Sequence, residues 1–184
     1  VPKLHFIRHG ETDWNTGHRV QGHTDVPLST RGEEQARELA ERLAGWPIEA
    51  IFSSDLRRAL DTARPLADRL GLEVRIDPIL RERNFGAFEG LHDSEVEAQL
   101  DDADAFWRDP DTRPDGGESR RELWERVGGF LDRLLADPPA DEIAIVSHGG
   151  TIRLAAAYLA QEDIESMTRR EVANVSVTTV QVGD

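Results

Sequence analysis

The chain predicts an α/β fold built on a largely parallel sheet. Short apolar runs suited to strands alternate with amphipathic helical patterns along the whole sequence, the alternation that strand–helix–strand crossovers require. Two of those runs, Leu4–Ile7 and Ile143–Val146, lead into a histidine followed by glycine. In an open parallel sheet the carboxyl ends of strands form the ligand crevice, so adjacent strands would bring both histidines to one edge. At 184 residues, 38% of them hydrophobic, the chain has the length and apolar content of one domain spanning residues 1–184.

The elements follow in order. Leu4–Ile7 suits a strand buried on both faces. Thr30-Arg31-Gly32-Glu33 has capping-box spacing, Ala36, Leu39, Ala40 and Leu43 recur at helical period, and Gly45 is expected to close that helix. Ala50-Ile51-Phe52 is the next strand. A helix then carries Leu56, Leu60, Ala63, Leu66, Ala67 and Leu70 and stops at Gly71 as a left-handed cap, with Pro65 predicting a kink. Val74-Arg75-Ile76 reads as a third strand, and residues 77–92 as irregular. One polar helix is expected over Asp93–Trp107, then a loop over Asp109–Gly117. Ser119-Arg120-Arg121-Glu122 opens a further helix with Leu123, Val127, Phe130, Leu131 and Leu134 on one face. After Ile143–Val146 comes a helix from about Thr151 to Leu159. Val175–Val182 alternates as a final strand, and its edge offers a surface for a homodimer.

Composition narrows the function. A net charge of −14 argues against nucleic acid and anionic membrane as partners. Any phosphate site must then be a local island of arginine in an acidic surface. With no cysteine, thiolate nucleophiles, disulfides and cysteine metal sites are excluded. No charged start followed by an apolar stretch is seen, so cytoplasmic is the default location.

The chemistry gathers at the strand ends. His9 and His148 are the candidate reactive groups, whereas His5, His18, His23 and His92 read as structural. Glycine at 10, 149 and 150 allows close approach of a ligand to the backbone, and Gly149 and Gly150 open a helix whose free N–H groups favour an anion. Arginine's planar fork suits phosphate oxygens. Arg8 adjoins His9, and Arg57 or Arg58 follows the next strand, one able to face the crevice and the other solvent. A neutral His9 would attack phosphorus, kept unprotonated by its cationic neighbours, with one ring nitrogen tied to a backbone carbonyl. His148 would be a cation that stabilises charge in transfer.

Arg8-His9-Gly10-Glu11, together with Ser147-His148-Gly149-Gly150, resembles the histidine phosphatase superfamily, also called phosphoglycerate mutase-like. Similarity extends over Gln21–Leu28, Ser53–Ala59, Arg81–Leu91 and Gly116-Gly117-Glu118-Ser119. The resemblance implies a three-layer α/β/α sandwich and a phosphohistidine intermediate on His9. It selects Arg58, from its Arg-Ala pair, as a phosphate ligand with Arg8 and Gly149. It also makes Asn15 a neutral donor and Glu82 the carboxylic acid that protonates the leaving group and later activates water. Arg81 and Arg83 beside Glu82 imply that it is protonated mainly in the substrate complex. Gln21, Gly22 and Arg83 are candidates for substrate binding.

No metal or cofactor is called for, since arginine supplies the positive charge. The expected function is hydrolysis of small phosphomonoesters, because mutases of this family are longer and residues 101–115 here are acidic. Phosphoglycerate mutase is the alternative, and a weakly active binding protein a more distant one. An acidic rim would favour a neutral or cationic leaving group. Arg81, Arg83 or Arg113 reaching into the site would instead favour a carboxylate-bearing substrate.

Overall fold

The computed structural model describes residues 1–165 and 171–181. Five strands form one sheet in the order β3-β2-β4-β1-β5. β1 (Lys3–Arg8), β2 (Ala50–Ser53), β3 (Val74–Ile76) and β4 (Glu142–Ser147) run parallel, and β5 (Val177–Gln181) closes the sheet antiparallel to β1. The expected final strand is therefore an edge strand; Val182 lies outside the described residues.

Strand alternation distributes the core to two faces. Leu4, Phe6, Ile143 and Ile145 pack against the helices α6 (Arg120–Ala136) and α7 (Gly149–Leu159). On the other face Ile7, Ile51, Ala144 and Val146 meet α2 (Thr30–Leu43) and α3 (Arg57–Leu70). This is the three-layer sandwich that the family resemblance implied. Ile143 to Val146 are 0% exposed, so a substitution to alanine at Ile143 or Ile145 costs about 2–5 kcal/mol. His5, on the same face as Ile7, is a structural histidine. Its Nε2 meets Glu142 Oε2 at 2.6 Å, its Nδ1 meets Thr179 Oγ1 at 2.9 Å, and its ring lies edge-on to Trp46.

Several local expectations need correction. α2 is capped one residue earlier than its sequence spacing suggests. Ser29 stays extended and its hydroxyl accepts from the Gly32 N–H, so Thr30 is already helical. That helix ends at Leu43 with Ala44 as cap, and Gly45 lies beyond it. Gly71 does cap α3 in the left-handed region (φ 69°), and Pro65 lies inside that helix, as expected. The expected helix over 93–107 is two short ones, α4 (Asp93–Ala98) and α5 (Ala103–Arg108). Asp102 divides them, because its extended backbone and its carboxylate, which accepts from the Ala105 N–H, start a new helix. Another short helix, α1 (Asp13–Thr16), lies just after β1. Ser119 and Glu122 form the reciprocal capping box expected at α6.

Candidate active site

The sheet register builds the site. Arg8 pairs with Ser147 and Ser53 with Val146, so the residues that follow β1, β2 and β4 stand side by side: His9, Ser54 and His148. Backbone bonds extend the ladder past the strands, from His9 N–H to the Ser147 carbonyl and from Ser54 N–H to the Val146 carbonyl, each 3.0 Å. The two imidazoles lie 5.2 Å apart between ring centroids.

His9 is 3% exposed. Its Nδ1–H donates to the Gly10 carbonyl at 2.6 Å, so Nε2 of the neutral ring carries the free lone pair. The carbonyl is itself held in place. Gly10 N–H donates to Thr62 Oγ1, and a β-carbon at residue 10 would lie 2.7 Å from the Gly32 carbonyl oxygen, so only glycine fits. Burial holds the His9 imidazole well below its ordinary pKa of 6.5, and the Arg58 and Arg8 guanidiniums depress it further.

His148 departs from expectation. Burial, then Arg58, His9 and Arg8, hold its pKa well below 6.5, which opposes the cationic form expected of it during transfer. Positive neighbours were legible in the sequence, but the desolvation that dominates was not. Nε2 meets Ser54 Oγ at 2.9 Å, and the Ser54 oxygen also accepts from the Leu56 N–H. His148 Nδ1 is buried without a hydrogen-bond partner.

Arg58, on the first turn of α3, is 1% exposed and donates to the carbonyls of Gly22 (2.7 Å) and Thr24 (2.9 Å). Burial lowers its pKa to about 10. Arg57 faces solvent, with its backbone N–H bound to Asp25. Arg8 donates from Nη1 to the Val172 carbonyl at 2.5 Å. The Nε atoms of both Arg8 and Arg58 are buried donors without an acceptor. Buried donors left unmet cost roughly 1–3 kcal/mol each, a cost that an oxyanion at this point would remove.

Glu82 is brought to the same place by a contact the sequence did not reveal. Its carboxylate sits on the start of α7, accepting from Gly150 N–H (2.9 Å), Thr151 N–H (3.1 Å) and Thr151 Oγ1 (3.2 Å). The helix N-terminus expected to hold an external anion thus holds Glu82 in part. A β-carbon at residue 150 would lie 2.5 Å from Glu82 Oε1, so a larger residue there would displace the carboxylate from this seat. The Glu82 carbonyl accepts from His23 Nε2 and Arg126 Nη2, which fix the segment. Arg81 forms a bidentate pair with Asp55, and Arg113 an ion pair with Glu122. Neither lines the site.

Arg8, His9, Arg58, Glu82 and Gly149 line one cleft of about 640 Å³, together with Gln21, Gly22 and Arg83. Asn15 and His148 are not among the lining residues. The Asn15 amide oxygen instead accepts from the Thr12 N–H and hydroxyl as part of the α1 capping box, and its Nδ2 is the end left to donate. Gln21 Oε1 accepts from the Thr12 hydroxyl. Gly22 has φ 54°, and a β-carbon there would strike the Glu89 carboxylate. Arg83 is 7% exposed, donates to the carbonyls of Glu118 and Thr112, and lies over the Phe85 and Trp107 rings. Two further arginines line the cleft that sequence reasoning missed, Arg120 on α6 and Arg153 on α7. No group of three or more His, Cys, Asp or Glu among the described residues is arranged to ligate a metal ion.

The profile of the histidine phosphatase superfamily (branch 1) matches residues 4–184. The chain belongs to that superfamily. Glucosyl-3-phosphoglycerate phosphatase of Mycobacterium tuberculosis is 42% identical over 166 residues, 85% of this chain and 74% of that protein. A probable phosphoglycerate mutase of Enterobacter sp. is 40% identical over 152 residues, 80% of this chain and 69% of that protein. The structure of mycobacterial glucosyl-3-phosphoglycerate phosphatase with VO3 superposes with a TM-score of 0.91 at 37% identity, covering 98% of this chain and 93% of that one. Alpha-ribazole phosphatase from Shigella flexneri gives a TM-score of 0.88 at 32% identity, covering 98% and 91%. This histidine phosphatase is an enzyme that hydrolyses small phosphorylated metabolites. None of its helices among the described residues is long and apolar enough to cross a membrane.

Proposed function

We propose that His9 is the nucleophile of a two-step phosphomonoester hydrolysis. The observation that carries this reading is the Nδ1–H bond to the Gly10 carbonyl, which leaves a neutral Nε2 beside two buried guanidiniums whose Nε–H groups lack acceptors. In the first step Nε2 attacks phosphorus in line, the P–O ester bond breaks, and Glu82 as a carboxylic acid protonates the leaving alkoxide. In the second step Glu82 as carboxylate removes a proton from water, the water oxygen attacks phosphorus, and the P–N bond breaks to release phosphate and free His9.

Arg8 and Arg58 grip the phosphoryl oxygens, with Gly149 N–H and Asn15 Nδ2 as neutral donors. His148 acts as a neutral donor. The Ser54 hydroxyl donates to Nε2, which keeps the proton on the unpartnered Nδ1 for a phosphoryl oxygen. Gln21, Gly22 and Arg83 contact the remainder of the substrate. With Arg83 lining the cleft, an ester that also carries a carboxylate is the favoured class, and the similarity to a glucosyl-3-phosphoglycerate phosphatase supports it.

A panel of metabolite phosphates with a phosphate-release readout tests the reading. Release of inorganic phosphate from several small esters is the expected result. Rapid exchange between 3- and 2-phosphoglycerate in the presence of 2,3-bisphosphoglycerate, without free phosphate, would make the protein a mutase instead.

A further inference from the structure

Four histidines stand outside the reactive pair, and one of them reaches the site. His5 is bound to Glu142 and Thr179. His18 and His92 lie edge-on to each other, 6.0 Å apart between ring centroids, and His92 also caps α4. His23 instead turns its half-buried ring to the segment that carries Glu82. Its Nε2 lies 2.8 Å from the Glu82 carbonyl oxygen, 59 residues away along the chain. A carbonyl oxygen can only accept, so Nε2 carries the proton and donates it.

The loop behind His23 belongs to the phosphate grip. Arg58 donates to the carbonyls on either side of it, Gly22 at 2.7 Å and Thr24 at 2.9 Å. The Glu89 carboxylate accepts from the His23 and Thr24 N–H groups, each at 2.8 Å, and from the Phe85 N–H at 3.1 Å. Glu82, by contrast, sits in an irregular stretch between the short 3₁₀ turns Pro78–Leu80 and Gly86–Phe88, where no strand or helix fixes it. Its carboxylate is held by the Gly150, Thr151 and Arg83 N–H groups. Each of these donors needs an accepting oxygen, so a proton placed on the carboxyl group competes with them. The hold on the carbonyl, from His23 and at 3.3 Å from Arg126, does not depend on that proton.

We infer that His23 is a positioning residue for acid catalysis, whose ring ties the Glu82 backbone to the loop gripped by Arg58 and so sets where the carboxylic acid stands relative to the phosphoryl group. This rests on the reading of Glu82 above and names the residue that keeps the acid in place during the first step. The consequence falls on the leaving group. An alkyl alkoxide must take a proton as the P–O bond breaks and needs the acid in position, whereas an activated phenolate departs with little help.

The test measures kcat/KM for glycerol 3-phosphate and for p-nitrophenyl phosphate. His23→Ala should lower the alkyl-to-aryl ratio roughly 10-fold, the scale of one neutral hydrogen bond. His23→Phe, which keeps a ring in place without the donor, should do the same. His23→Gln, whose amide N–H can reach the same carbonyl, should restore most of the ratio. In a Glu82→Gln background, where the ratio is already low, His23→Ala should change it by less than about 2-fold, because both act through one group. An equal loss on both esters would overturn the proposal, since His23 would then serve the fold or the phosphate. An unchanged ratio in His23→Ala and His23→Phe, or an equal further loss in the double variant, would overturn it as well. Any of these beside a Glu82→Gln variant that does lower the ratio counts against His23 alone. A Glu82→Gln variant that leaves the ratio unchanged removes the acid role of Glu82, and the His23 assignment with it.

Discussion

Arg58→Met separates the structural from the chemical work of a buried guanidinium. Arg58 holds the Gly22 and Thr24 carbonyls, and charge-assisted bonds of this kind are worth about 1.5–3 kcal/mol each. Against this stands desolvation, which lowers the Arg58 pKa from 12.5 to about 10 and corresponds to roughly 3 kcal/mol. The two nearly offset each other, so the apolar variant should lose only about 0–3 kcal/mol of stability by urea unfolding. Chemistry has no such compensation. Removing a preorganised donor from the developing phosphoryl charge should cost about 10²- to 10³-fold in kcat/KM on p-nitrophenyl phosphate. The acid limb of kcat/KM should also move to higher pH, since Arg58 is the second cause, after burial, of the depressed His9 pKa. A folded variant keeping more than about a tenth of wild-type kcat/KM, with an unmoved acid limb, would refute this assignment.

Two further outcomes follow from the same site. Glu82→Gln should slow alkyl phosphates about 10²- to 10⁴-fold in their first step, while the burst on an activated aryl ester is largely spared; equal burst losses on both would remove Glu82 from acid catalysis. The pH dependence of stability has a definite sign. His9 and His148 are held neutral in the folded chain but take up protons near pH 6.5 when unfolded, so protons favour unfolding. Their contribution is complete above about pH 6.5 and is lost as pH falls toward the depressed folded values, by up to about 1.4 kcal/mol per pH unit for each histidine. Urea unfolding at pH 7.5 and 5.5 should show that loss, and equal stability at the two would contradict it.

The residues legible in the sequence were those whose position along the chain already fixes their direction. His9 and His148 follow strand ends, and the register of β1 against β4 does the rest. Arg58 was separable from Arg57 only through a family pattern, and burial agrees with it. The residues missed depend on tertiary placement. Arg153 and Arg120 look like ordinary helical arginines until α6 and α7 pack on one sheet face and turn them into the cleft. The seat of Glu82 on the first turn of α7 joins segments 68 residues apart, which no local pattern encodes. The downward pull on the His148 pKa is hidden for a related reason, because neighbours can be guessed from motifs but depth of burial cannot. The acidic helices over 93–108 were merged because the stop at Asp102 is a single capping residue within a polar stretch.

The central claim is a covalent phosphoryl group on His9 Nε2. Rapid mixing with an activated aryl phosphate, alkaline quenching and peptide mass spectrometry test it most directly, with Glu82→Gln to slow hydrolysis of the intermediate. An alkali-stable, acid-labile phosphoryl adduct on the peptide containing His9, absent in His9→Ala, is the predicted result. A burst of phenol release without any adduct, or an adduct on another residue, would contradict it.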